Sequence, residues 1–155
     1  DPSIQVVEAD LASPGIMAAV CTEPVDLVVS SFAIHHLDRP RQRDLYAEIF
    51  EALRPGGLLV NIEHVASATP RLEQTHWRWF HDHVTRGRQA AGEKVTRDQV
   101  EAEANVRREL NILTDVTTQI GWLREIGFVD ADCVFKAFEL AVLGGFRPGD
   151  EADDG

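Results

Sequence analysis

Apolar positions along this chain follow two rhythms. Val25–Val29 is nearly unbroken apolar, as expected for a strand covered on both faces of a parallel sheet, here spanning Val25–Ser30. A polar turn runs from Ser31 to Pro40. Leu45, Ile49 and Leu53 then recur every four residues beside Tyr46 and Phe50, one core-facing stripe of a helix over Arg41–Leu53. Arg54-Pro55-Gly56-Gly57 stops that helix, because proline cannot continue it and the glycines let the backbone turn sharply. Leu58–Val65 reads as the next strand. Strand, short polar connection, helix and strand make one βαβ unit, the element from which a doubly wound sheet builds half of a nucleotide-binding crevice.

The flanking segments extend the pattern. Ile4–Val7 reads as a short apolar strand, and Pro14, Gly15 and Pro24 punctuate a weak helix at Ile16–Cys21. Residues 66–113 read as a helical insertion. Thr69-Pro70 opens its first helix, in which Leu72, His76, Phe80 and Val84 recur every four residues until Gly87 and Gly92 weaken and end it. The second starts at Thr96, where Thr96 and Gln99 form a capping box and Val95 with Val100 a hydrophobic staple. A third helix runs from about Asp115 to Glu125, with Gly127 at the left-handed C-terminal position and Phe128 folding back on the last turn. Val129–Phe138 and Glu139–Gly144 read as an antiparallel hairpin whose turn lacks the usual Asn-Gly signal. The domain is therefore expected over residues 1–148, with 149–155 an acidic tail that frays.

Charge and composition narrow the function classes. The formal net charge is −11, which disfavours nonspecific nucleic-acid binding. The stretch from residue 66 to 124 is nearly balanced and reads as solvated helical faces. No apolar run is long enough to span a bilayer, so no membrane partner is expected. Cys21 and Cys133 lie in unrelated segments and read as free thiols in a reducing, cytoplasmic setting.

Two blocks carry a resemblance. Val25-Asp26-Leu27-Val28-Val29-Ser30-Ser31-Phe32-Ala33-Ile34-His35-His36-Leu37, then Leu53-Arg54-Pro55-Gly56-Gly57-Leu58-Leu59-Val60, resembles the central block of class I S-adenosylmethionine-dependent methyltransferases. Trp122-Leu123-Arg124-Glu125-Ile126-Gly127-Phe128 and the closing hairpin are similar to that family's C-terminal end. The resemblance implies an α/β, Rossmann-like sheet of order 3-2-1-4-5-7-6, of which this chain supplies strands 3 to 7. The first strand, its Gly-rich loop and the second strand with its ribose-holding acid are missing. The chain is thus expected to be a piece of a longer polypeptide. Its fourth strand would present an open apolar edge, covered by another copy, a swapped segment or a rearranged sheet.

By the same resemblance, Asp10 accepts from the adenine amino group and the Leu11 N–H reaches a ring nitrogen. Ser30, Ser31 and Phe32, with His36 beyond them, lie where the strand order reverses and the cofactor sits. Glu63 and His64 end the following strand, where a carboxylate or imidazole can take a proton from a substrate nucleophile. Trp77 and Trp79 sit in the insertion that lids the acceptor pocket, and aromatic walls suit a planar or apolar small-molecule substrate. His76, His81 and His83 lack zinc-site spacing, so no metal is expected. His35-His36 is a weak acid/base or metal pair, since adjacent side chains point apart.

The implied reaction is transfer of a methyl group from S-adenosylmethionine to an unidentified acceptor. The sulfonium is already activated, so alignment matters more than a fixed catalytic motif. A narrower similarity, to enzymes that make carboxylated S-adenosylmethionine for tRNA modification, points to Arg107 and Arg108 as candidates to hold the added carboxylate. A non-catalytic interaction module of the same fold is the alternative from another class.

Overall fold

The computed structural model describes residues 4–108 and 110–149, with Arg107 by its backbone alone. The elements are α1 (Ile16–Val20), β1 (Val25–Ser31), α2 (Arg39–Ala52), β2 (Leu53–His64), α3 (Pro70–Ala90), α4 (Arg97–Arg108), α5 (Val116–Ile126), β3 (Val129–Ala137) and β4 (Leu140–Phe146), with a 3-10 turn at Ile34–His36. The sheet order is β1-β2-β4-β3. β1 and β2 are parallel, with Leu27 opposite Leu58 and Ser31 opposite Ile62. β4 runs antiparallel to both β2 and β3. This is the 4-5-7-6 part of the expected order.

The expected strand at Ile4–Val7 is not formed. The segment is irregular, and Val6 is 90% exposed. A strand exists only through its neighbours' hydrogen bonds, and the outer edge of β1 is unpaired among the described residues.

Local chemistry explains most boundaries. α2 begins at Arg39, earlier than the apolar stripe indicates, because the Asp38 carboxylate accepts from the Arg41 N–H at 2.8 Å and Pro40 fits the first turn. β2 begins at Leu53, since Leu53 already pairs with Val25 before the register shifts. A Cβ on Gly57 would meet the Arg54 carbonyl oxygen at 2.8 Å, so the bend between them needs glycine. α3 passes through Gly87, and Gly92 at φ 90° follows its end. The capping box of α4 forms in both directions: the Thr96 N–H donates to Gln99 at 2.8 Å, and the Gln99 N–H donates to Thr96 Oγ1 at 3.2 Å. Gly127 at φ 122° ends α5, and the Phe128 N–H returns to the Leu123 carbonyl at 3.0 Å.

Helices α1, α2 and α5 pack together on one face of the sheet, over Leu59, Ala141 and Leu143. Buried polar groups run through this core. Asn61 Nδ2 donates to the Tyr46 hydroxyl (2.8 Å), which donates to Gln119 Oε1 (2.6 Å). Gln119 Nε2 donates to the Thr114 carbonyl, and the Thr114 hydroxyl donates to Gln42. Gln42 in turn holds the carbonyls of Leu37 and Ile112. The chain of bonds ties β2, α2 and α5 to the turn after β1. The other sheet face carries Leu27, Val29, Leu140 and Phe146, all exposed, beside half-buried Leu58, Val60, Ile62 and Val142.

Candidate active site

Parallel strands leave their carboxyl ends open for loops, so the site grows from the ends of β1 and β2. At the end of β1, Phe32 adopts φ 49°, uncommon for a non-glycine residue. Ser30 and Ser31 share a cavity of about 260 Å³ with Leu11, Ala33 and Ile34. The buried Ser30 hydroxyl has no hydrogen-bond partner among the described residues. Asp10 opens the loop above, where its carboxylate accepts from the Ala12 N–H at 2.9 Å. Arg41 fastens that loop to α2: its guanidinium donates to the carbonyls of Leu11 (2.9 Å) and Ser13 (3.0 Å) and pairs with Glu48 at 2.5 Å. Glu48 also accepts from the Gly15 and Met17 N–H groups. Burial alone would raise the Glu48 pKa, but the Arg41 bond and these two backbone donors lower it below the usual carboxylate range.

The 3-10 turn puts His35 inside and His36 outside. His35 is 6% exposed and Glu63 is 1% exposed. Nδ1 of His35 donates to Glu63 Oε1, and the His35 backbone N–H donates to Oε2 at 3.2 Å. The His64 N–H completes the carboxylate's set at 2.8 Å. Nε2 of His35 has no hydrogen-bond partner among the described residues. Exposed His36 donates from Nδ1 to the Leu110 carbonyl at 3.3 Å.

The His64 ring lies 5.8 Å from that of His35, centroid to centroid. Its Nε2 donates to Glu139 at 3.2 Å. Glu139 comes from the β3–β4 turn and also accepts from Ser67 Oγ at 2.7 Å, with His76 Nε2 at 3.6 Å. Burial alone would raise the Glu139 pKa, but bonds from His64 and Ser67 and the nearby His76 lower it. Burial pushes the His76 pKa down. His64 then opens onto a cavity of about 550 Å³ between α3 and α4, lined by Trp77, Phe80, Val84, Val100 and Arg108 among others. Arg108 lies 4.6 Å over the Trp77 ring and pairs with Glu73.

Residues 2–61 match the family described as a methyltransferase domain. The chain is 26% identical to a carboxy-S-adenosyl-L-methionine synthase of Klebsiella pneumoniae (strain 342), over 96% of its own length and 56% of that protein. It thus spans about half the length of the curated relatives it matches. An O-methyltransferase family protein from Burkholderia thailandensis superposes over 94% of this chain and 36% of its own, with TM-score 0.58 and 17% identity. Human N-acetylserotonin methyltransferase, solved in complex with SAM, superposes over 97% and 35%, with TM-score 0.52 and 18% identity. The chain shares its Rossmann-like fold with these methyltransferases, and its first 61 residues carry the methyltransferase-domain match.

Of the residues expected at the cofactor, the structure gathers Leu11, Ser30 and Ser31 on one cavity wall, while Asp10 and Phe32 neighbour them in sequence without lining it. That wall fits S-adenosylmethionine: small side chains admit the backbone close to it, and the orphaned Ser30 hydroxyl is a polar atom in want of a partner. Glu63 and His64 lie at the end of β2 as expected from sequence, but Glu63 is fully enclosed and faces His35 rather than a cavity. Trp77 lines the larger cavity. Trp79 does not: it is 46% exposed and stacks on His83 and Phe138. The buried face of α3 is His76, His81 and Thr85, whereas Leu72 of the expected stripe is 53% exposed. Sequence reasoning missed His35 as the paired histidine and missed Glu139 altogether.

Proposed function

We propose that the complete protein transfers a methyl group from S-adenosylmethionine to a protic group of a small, planar acceptor, with His35 taking the acceptor's proton. Asp10, Leu11, Ser30, Ser31 and Phe32 are the residues that would hold the cofactor, which supplies an already activated methyl group when bound. The observation that carries the reading is the enclosed His35–Glu63 pair at the carboxyl ends of the two parallel strands. A carboxylate that fixes Nδ1–H leaves Nε2 as a base and stabilises the imidazolium that forms. The His35 ring adjoins His64, and His64 lines the cavity of about 550 Å³. Trp77 and Phe80 give that cavity flat apolar walls, which favour an aromatic acceptor.

The test is methyl transfer from labelled S-adenosylmethionine to a panel of phenols, together with calorimetric titration of S-adenosylhomocysteine. In His35→Asn, kcat is expected to fall about 10²–10⁴-fold with S-adenosylhomocysteine affinity unchanged. Unchanged kcat would remove His35 from the chemistry.

A second reading is formation of carboxylated S-adenosylmethionine, favoured by the name the curated relatives share. Of the two candidate arginines, the Arg107 side chain lies outside the described residues. Arg108 is already paired with Glu73, so its guanidinium is partly neutralised before any ligand arrives. Mass spectrometry of the nucleoside product separates the readings, since one leaves S-adenosylhomocysteine and the other a carboxylated sulfonium.

A further inference from the structure

Phe138 and Glu139 form the turn between β3 and β4, and two costs meet there. Phe138 sits at φ 53°, a left-handed conformation rare for an aromatic residue. Glu139, next to it, is 2% exposed. Among the described residues no lysine or arginine pairs with its carboxylate; its partners are Ser67, His64 and His76. A hairpin turn needs neither feature, since an exposed Asn-Gly pair would close it without strain. The turn is nonetheless held firmly. The Val65 N–H donates to the Glu139 carbonyl at 2.8 Å, and the Phe138 ring packs on Trp79 and His76 at 5.3 and 5.1 Å. The Glu139 side chain lies inward, against His64 at the end of β2 and Ser67 beyond it.

We propose that Glu139 is a positioning residue for His64: it takes the Nε2–H and leaves Nδ1 of this cavity-lining ring to accept a hydrogen bond from the acceptor's protic group. Nδ1 of His64 has no hydrogen-bond partner among the described residues. An ionised carboxylate only accepts, so a neutral His64 beside it carries its proton on Nε2. The arrangement parallels His35 and Glu63 with the ring nitrogens exchanged, and it places two carboxylate-held imidazoles side by side. One is set for proton removal, the other for recognition. The proposal rests on the reading of this cavity as the acceptor site. It adds that the site discriminates a ligand bearing O–H or N–H from its methylated counterpart, and hence a substrate from its own product.

Two measurements on the complete gene product test it. Long-range ¹H–¹⁵N correlation at the His64 imidazole is expected to show the Nε2–H tautomer. It is expected to persist in Glu139→Gln, whose amide oxygen still accepts, and to give way to a mixture in Glu139→Met. Phenol and anisole, which differ by the O–H donor, are then titrated as probes. The natural protein and Glu139→Gln are expected to prefer phenol by about tenfold, the value of one good net hydrogen bond. In Glu139→Met the preference is expected to fall toward unity while circular dichroism stays unchanged. An Nδ1–H tautomer in the natural protein with phenol bound overturns the proposal alone. The Nε2–H tautomer with neither probe bound overturns it through the acceptor-site reading beneath it. Should Glu139→Met fail to fold, the tautomer and the phenol preference of the natural protein and of Glu139→Gln still decide.

Discussion

The Tyr46 hydroxyl donates to Gln119 and accepts from Asn61, deep beneath the site. Burial first, and then the Glu63 charge, push its pKa upward, so it stays a neutral donor. Tyr46→Phe would strand Gln119 Oε1 and Asn61 Nδ2 in the core. A loss of about 1–3 kcal/mol in urea unfolding is expected. Acid sensitivity is also set residue by residue. Glu139 is held below its ordinary value of 4.5, so its contribution is complete above that pH and is lost as pH falls through the lower folded value. His76 is held below 6.5, so the unfolded chain binds its proton first and stability declines as pH drops below 6.5. Thermal unfolding between pH 7 and 3 is expected to show both declines, and Glu139→Gln to reduce the more acidic one, to which Glu48 also contributes.

At the scale of elements, capping chemistry decides where helices begin and end. Gly127 combines φ 122° with a Phe50 ring atom 3.2 Å from where a Cβ would stand. Gly127→Ala is expected to destabilise by more than about 1 kcal/mol in denaturant titration, with the sheet intact. Such signals are short-range, which is why they could be read from sequence. The Thr96–Gln99 box, the Gly127 stop and the βαβ rhythm from Val25 to Val65 all depend on residues a few positions apart. Ile4–Val7 failed as a strand for the opposite reason, because its state depends on a distant pairing partner. The same holds for the site. Two adjacent histidines give no sequence signal of which one turns inward, and Glu139 meets His64 across 75 residues. Gln42 and Gln119 look like surface residues until their partners on other elements are known.

For the molecule as a whole, one sheet face is helix-covered and the other is apolar and open. Leu27 and Val29 on the outermost strand are 52% and 56% exposed. Open strand edges template pairing with other chains. The 155-residue chain is therefore expected to self-associate with rising concentration. Leu27→Lys with Val29→Lys should shift it toward the monomer in light scattering, without changing the circular dichroism spectrum. Unchanged association would move the contact elsewhere on the surface.

The hairpin turn also sets an order of events during translation. His64 and Trp77 leave the ribosome well before Glu139, 75 residues behind His64. At bacterial or eukaryotic elongation speeds the delay is about 4–15 s. Under the role proposed for Glu139, His64 in a nascent chain lacks its orienting carboxylate until the carboxyl-terminal strands have been made.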